Sequence, residues 1–218
     1  MPAAPSLPAA PFIVVIAGGT ASGKTTVAVQ AAARLGALLL HHDRYYKDVA
    51  QPRGHNYDHP DALDTARLVA DLDTLRAGQT AHLPVYDFRT HSRQAHTEQV
   101  QPTPVIIVEG ILTLADPQLR ARADLAVFVD APADVRLARR VLRDVADRGR
   151  DLVGVIDQYL GTVRPMHESF VEPTRALASL VLNGTAPVDT LVQTLTEALT
   201  RAQVLPTGDA APRSDSPF

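Results

Sequence analysis

Residues 18–26 read Gly18-Gly19-Thr20-Ala21-Ser22-Gly23-Lys24-Thr25-Thr26, and this stretch decides the fold. Gly18, Gly23, Lys24 and Thr25 fill the phosphate-binding spacing Gly-x-x-x-x-Gly-Lys-Ser/Thr. The flanks stand in the order that spacing needs. Phe12-Ile13-Val14-Val15-Ile16-Ala17 is a short continuous apolar run, as in a buried strand. Val27 to Leu35 continues as a helix that stops at Gly36, a residue suited to a left-handed C-terminal cap. In such a loop, glycines let backbone N–H groups turn toward phosphate oxygens, and the helix N-terminus adds a favourable dipole. Lys24 would reach the β- and γ-phosphates and the Thr25 hydroxyl would ligate Mg2+. Among 21 basic residues only Lys24 and Lys47 are lysines. An arginine-biased chain that keeps a lysine here points to a need for a compact ammonium, because a planar guanidinium would not fit the same cradle.

The composition excludes several other chemistries. At 218 residues and 45% apolar, the chain suits one domain with an ordinary core. It has no cysteine, so disulfides, thiolate metal sites and cysteine nucleophiles are excluded, and a cytoplasmic protein is expected. A net charge of −3 argues against a nucleic-acid binder and leaves local cations to hold an anionic substrate. No apolar stretch reaches the length of a membrane-spanning helix. Residues 1–11, rich in Ala and Pro without a positive n-region, read as a flexible tail rather than a signal peptide. Residues 206–218 read as a disordered tail, leaving 12–205 as the domain.

Outward from the glycine loop, strands and helices alternate. Ala37–His42 reads as a second strand ending at Asp43, and 44–63, with Pro52, Gly54, Asn56 and Pro60, as a loop. Asp64 caps a helix carrying Leu68, Leu72 and Leu75. Within 80–101, pieces around Ala81–Tyr86 and Thr97–Gln101 are expected to pair as a β-hairpin outside the main sheet. Val105–Val108 and Leu125–Val129 are buried strands, closing on Glu109 and Asp130. A helix runs from about Ala133 to Asp147, more helix crosses 151–170, and Ser179–Leu182 and Val188–Gln203 form the last strand and helix. The alternation predicts an α/β three-layer sandwich around a central parallel sheet, whose strand ends gather the ligands.

A phosphate loop alone does not separate ATPase, GTPase and kinase. The guanine-reading pattern Asn-Lys-x-Asp is absent. A kinase needs a group to receive the acceptor's proton, a metal site and cations for the transition state. Asp43, just past a buried strand, suits the first role. Glu109, after four β-branched residues, suits the acid that acts on Mg2+ through water. Arg136, Arg139, Arg140 and Arg143 fall at i, i+3, i+4 and i+7, so one helix face carries four positive charges, with Arg148 and Arg150 just beyond. That face, with a lid over about 136–160, is similar to the closing element of small-molecule kinases; the alternative is a solvated face paired with Asp134, Asp144 and Asp147. His55 and His59 have helical metal-ligand spacing, but Asn56, Asp58 and Pro60 place them in a loop.

Several segments together resemble the uridine kinase (uridine-cytidine kinase) family of P-loop nucleoside kinases. They are Gly18–Thr26, Asp43–Lys47, Asn56–Ala62, Pro84–Arg93, Val108–Gly110, Arg148–Asp151, Asp157–Tyr159 and Glu172–Thr174, in order across about 12–183. The resemblance implies transfer of the ATP γ-phosphoryl group to the 5′-hydroxyl of uridine and cytidine, with Mg2+ and with GTP as an alternative donor. It makes Asp43 the base and a metal-shell residue with Thr25 and Glu109. Lys24 and Arg143 would stabilise the transition state, and Arg143, Arg148 and Arg150 would meet the ATP phosphates. Asp58, Arg140 and Gln158 would hold the ribose or the acceptor region. Tyr46, Tyr57 and Phe88 would pack on sugar and base, Tyr86 and His91 would read the base edge, and Arg150 would help to position the base. A homotetramer is implied too. The sequence departs from the family at Tyr45 and Tyr57, where phenylalanine is common, and at Asn183-Gly184-Thr185, where a more basic turn is usual. Two rivals remain: a kinase of pantothenate or ribulose 5-phosphate, and a nucleotide-dependent switch with no small acceptor.

Overall fold

The computed structural model describes residues 10–49, 55–202 and 204. Along the chain come β1 (Phe12–Ala17), α1 (Lys24–Leu35), β2 (Leu38–His41), α2 (Thr65–Arg76), β3 (Ala81–Asp87) and β4 (Ser92–Val100). They are followed by β5 (Val105–Glu109), α3 (Pro117–Arg120), β6 (Leu125–Asp130), α4 (Ala133–Ala146) and α5 (Leu152–Gln158). The last elements are α6 (Arg164–Met166), β7 (Leu180–Asn183) and α7 (Val188–Arg201). Of the expected tails, 1–11 and 206–218, only residues 10 and 11 are among those described.

The alternation inside β1 sets the layers. Ile13, Val15 and Ala17 enter one apolar cluster, with Leu68, Leu72 and Leu75 of α2. Val14 and Ile16 enter another, with Val27, Ala28 and Ala31 of α1 and Leu191, Leu195 and Leu199 of α7. A strand buried on both faces belongs inside a covered parallel sheet. β1 is the middle of five parallel strands ordered β2-β5-β1-β6-β7. The chain therefore leaves β1 at the point where neighbours lie to either side, the crevice where open α/β sheets take their ligands. Local signals agree. Gly36 closes α1 in the left-handed region (φ 60°), and the Asp64 side chain accepts from the Arg67 N–H at the start of α2.

The hairpin stands apart, as β3 and β4 pair antiparallel only with each other. β4 starts earlier than the sequence indicates, because Ser92-Arg93-Gln94-Ala95-His96 is largely exposed and carries no alternation to mark it. The helix expected over 151–170 is uneven. Turns of π-helix at Tyr159–Val163 and His167–Val171 flank α6, and a 3-10 stretch covers Glu172–Leu177. Pro165 and Pro173 explain part of this, since neither has an N–H to continue an α-helical ladder.

His42 opens the turn after β2 and is 1% exposed, its Nε2 3.0 Å from Thr65 Oγ1 and its Nδ1 without a protein partner. Burial lowers its pKa from 6.5 to about 4. Between those pH values the unfolded chain binds a proton that the native ring refuses. The His42 contribution is therefore flat above pH 6.5 and weakens as pH falls toward 4, by roughly 3 kcal/mol in all. Urea titrations of wild type and His42→Gln should show wild type losing that much stability relative to the variant between pH 7 and pH 4.

Candidate active site

The phosphate loop is shaped by what its residues lack. Gly18 (φ 144°) and Gly23 (φ 102°) take backbone angles that side chains rarely adopt, and a Cβ at Gly18 would run into the Val129 carbonyl oxygen. Ala21 is held at φ 58°, a strained angle for a residue with a Cβ. No side chain caps the N-terminus of α1. Its first N–H groups are thus available to an anion, and Lys24 is the first residue of the helix. The cradle fits a polyphosphate.

One strand away stands the candidate metal pole. Register places Glu109, the last residue of β5, between Ile16 of β1 and His41 of β2. Thr25 Oγ1 donates to Glu109 Oε2 at 3.0 Å, and His41 Nδ1 lies 2.6 Å from Oε1. Burial works to raise the Glu109 carboxyl, but the His41 hydrogen bond and the Lys24 and His41 charges outweigh it, so its pKa lies below the usual range. The same hydrogen bond holds the His41 pKa above its usual value. Two of the three expected metal residues are therefore joined, and Glu109 is ionised. Among the described residues no three His, Cys, Asp or Glu side chains form a cage. The Thr25 hydroxyl and the Glu109 carboxylate beside it are hard oxygen donors of the kind that Mg2+ takes in ones and twos.

Asp43 lies in the 3-10 turn after β2, half-buried. Burial raises its pKa; Lys24 opposes this and Glu109 reinforces it. Asp58 is raised by burial too, against Arg140 and Lys24. Both expected acceptor-side carboxylates thus feel the P-loop lysine. Around them runs an aromatic wall. Tyr46 meets Tyr57 edge-on (centroids 5.4 Å apart) and Tyr86 at a tilt (5.6 Å), while His91 stacks on Tyr57 at 5.1 Å. Phe88 touches Tyr86 edge-on at 5.1 Å but is 57% exposed, at the hairpin's end. The hydroxyls of Tyr57 and Tyr86 are buried without a protein partner. The two tyrosines that stand where phenylalanine is common thus differ: the Tyr45 hydroxyl donates to Asp71 Oδ2 at 2.9 Å, and the Tyr57 hydroxyl lies beside that of Tyr86.

The arginine stripe finds its acceptors within the protein. Arg136 is buried, donating to the Ala131 carbonyl at 3.0 Å and lying 3.0 Å from His167 Nε2. Arg139 donates to the Gly184 carbonyl at 2.9 Å, which brings a cation to the turn that lacks its own. Arg140 reaches Thr20 Oγ1 (3.2 Å) and Gln158 Oε1 (2.9 Å). The remaining charge converges on Asp144, whose side chain is fully buried. Arg143 and Arg148 stand 2.9 and 3.2 Å from Oδ1, Arg150 and Arg140 3.2 and 3.7 Å from Oδ2. Burial acts to raise this carboxyl, but Arg143 and its neighbours hold it below the usual range. Arg150 also donates to Gln158 Oε1 at 2.8 Å. Lys24, Thr20, Asp58, Arg140 and Gln158 are thereby brought into one neighbourhood, whereas Arg143, Arg148 and Arg150 turn to Asp144.

An anion cradle answered by an acid one strand away is how P-loop kinases grip a nucleotide and its metal, and the aromatic wall suits a flat small molecule. The profile of the Phosphoribulokinase / Uridine kinase family matches residues 13–191, and the chain belongs to that family. A protein named uridine kinase from Chloroflexus aggregans is 50% identical over 182 residues, 80% of this chain and 87% of its own. Another so named from Halobacterium salinarum is 46% identical over 178 residues, 78% and 79% of the two chains. In fold, D-glycerate 3-kinase from Cryptococcus neoformans superposes with a TM-score of 0.57 at 18% identity, over 76% of this chain and 80% of that one.

His41 and Asp144 are the residues that the sequence reading does not assign to the site. Spacing marks Asp144, four residues after Arg140 and four before Arg148, only as a partner for arginines on a solvated face. Nothing local marks His41, which meets Glu109 only through strand register. Removing the Asp144 charge leaves four guanidiniums facing one another. Three of these arginines are a third or more exposed and can rehydrate, so Asp144→Asn should cost about 1–3 kcal/mol in urea unfolding.

Proposed function

We propose that this protein phosphorylates the 5′-hydroxyl of uridine and of cytidine with ATP, yielding UMP and CMP. The observation that carries the reading is the aromatic wall of Tyr46, Tyr57, Tyr86 and His91 beside Asp43, in a chain whose relatives bear the name uridine kinase. A flat neutral base suits an aromatic wall with few polar groups. A sugar phosphate would call for extra cations there, and pantothenate has no ring to stack. Either tautomer of His91 can face a pyrimidine edge, because a neutral imidazole donates from one nitrogen and accepts at the other.

On this reading the backbone N–H groups of 18–26 and Lys24 hold the ATP phosphates. Thr25, Asp43 and Glu109 hold Mg2+, which neutralises charge on the β- and γ-phosphates when bound. Asp43 accepts the proton of the 5′-hydroxyl as that oxygen attacks. Burial raises its pKa, which makes its carboxylate form a better proton acceptor than that of an ordinary aspartate. Asp58, Arg140 and Gln158 orient the ribose. Arg143, Arg148 and Arg150 exchange Asp144 for phosphate oxygens as the lid over about 136–160 closes, excluding water and stabilising the transferred group. Residues 12–205 act as one kinase domain, ATP is the donor with GTP as an alternative, and a cytoplasmic homotetramer belongs to the same reading. Among the described residues no helix is long and apolar enough to cross a membrane.

The test is ADP release from Mg-ATP over uridine, cytidine, thymidine, adenosine, pantothenate and ribulose 5-phosphate. Turnover confined to uridine and cytidine supports the reading, and turnover confined to another alcohol overturns it. Asp43→Asn should lower kcat by roughly 10²–10⁴-fold with ATP affinity retained. His91→Ala should raise KM for the nucleoside far more than KM for ATP.

A further inference from the structure

The hairpin that carries Tyr86, Phe88 and His91 has no strand pairing with the main sheet. The wall it forms must nevertheless hold a fixed distance from Asp43, which sits on a different element. Ala81, Leu83 and Tyr86 pack β3 into the core, and polar side chains make the directional part of the connection. Arg44, next to Asp43, donates through Nε to the Pro84 carbonyl (3.0 Å) and through Nη2 to Glu98 Oε2 (2.6 Å). The return connection is denser. Arg93, on β4 opposite Tyr86, donates through Nε to the Tyr46 carbonyl (2.8 Å), through Nη2 to the Tyr45 carbonyl (2.9 Å) and through Nη1 to Asp64 Oδ2 (3.1 Å). Its backbone N–H donates to Asp48 Oδ1 at 2.6 Å. One residue thus binds four acceptors spread from Tyr45 to Asp64.

We propose that Arg93 is a positioning residue for the acceptor: it clamps the hairpin to the loop between β2 and α2, so that the aromatic wall and Asp43 keep one geometry. The inference rests on the reading above that these groups face the acceptor. The chemistry calls for arginine. The three guanidinium nitrogens serve three acceptors lying in different directions, whereas an ammonium on a flexible stem cannot hold all three. The clamp also reaches the base-reading end. His91, two residues before Arg93, is held at φ 54°, which a side-chain-bearing residue keeps only where its surroundings fix it. Asp64 contributes its other oxygen to cap α2, so the clamp ends on an element rooted in the core.

The experiment compares wild type, Arg93→Gln and Arg93→Lys in three measurements. These are steady-state kinetics with uridine and Mg-ATP, binding of a non-hydrolysable ATP analogue by calorimetry, and backbone hydrogen exchange. For Arg93→Gln we expect nucleoside KM to rise and kcat to fall by about tenfold each, with affinity for the ATP analogue within about twofold of wild type. The Asp64 amide, bonded to the Tyr45 carbonyl at 2.8 Å, should exchange faster while amides of the phosphate loop do not. Arg93→Lys should fall nearer to Arg93→Gln than to wild type; it keeps charge and stem, and serves alone if Arg93→Gln does not fold. Unchanged nucleoside kinetics, an equal loss of ATP-analogue affinity, or unchanged exchange at Asp64 would overturn the proposal. A wild-type enzyme inert toward uridine would overturn the functional reading instead, and the exchange comparison would still decide whether Arg93 is the clamp.

Discussion

A carboxylate placed inside a parallel sheet must be kept ionised, and much of this site follows from how Glu109 is. It ends β5 between β1 and β2, deep enough that burial alone would raise its pKa. Three groups prevent that: the His41 ring, the Lys24 ammonium and the Thr25 hydroxyl. Each comes from a segment with its own reason to be there. His41 ends the neighbouring strand, and Lys24 and Thr25 begin the helix that follows the glycine loop. The requirement of one acid therefore ties together the phosphate cradle, the central strand and the strand leading to Asp43.

Charge is arranged on the same plan throughout. The protein is mildly acidic overall, yet its site must receive a polyanion. Six arginines between 136 and 150 supply the positive field, and none is left without an acceptor. Carbonyl oxygens take Arg136 and Arg139, and Asp144 with Gln158 gathers the rest. Repulsion along the helix is thereby relieved within the protein, and the field around Asp144 remains net positive. A buried anion among several cations holds them at spacings that phosphate oxygens can also satisfy.

How much of this can be read in the sequence depends on whether the information is local. The glycine loop, the capping Asp64, the closing Gly36 and the apolar runs of β1, β5 and β6 each carry their structure within a few residues, and their boundaries agree with the fold. So does Glu109, because a strand's end marks its place. The contacts that complete the site are of another kind. His41 meets Glu109 across 68 residues and Arg93 meets Tyr45 across 48, separations that no short-range pattern encodes. The stripe of arginines is visible as helical spacing, but the spacing says only that the charges share a face. Whether the face meets solvent, ligand or an internal acid depends on what packs against it. β4 and the π-helical turns around Arg164–Met166 were hard to place for a related reason: exposed strands lack alternation, and proline disturbs a helix without stating what replaces it.

The separateness of the hairpin bears on how such a protein changes through descent. β3 and β4 share hydrogen bonds with each other and none with the five-stranded sheet. The outward side of β4 is exposed. Substitutions along it can accumulate without touching the register that aligns Gly18, Thr25 and Glu109. With Tyr86, Phe88 and His91 facing the acceptor as proposed, part of the acceptor wall thus varies on a piece of chain separate from the sheet that carries the phosphate cradle.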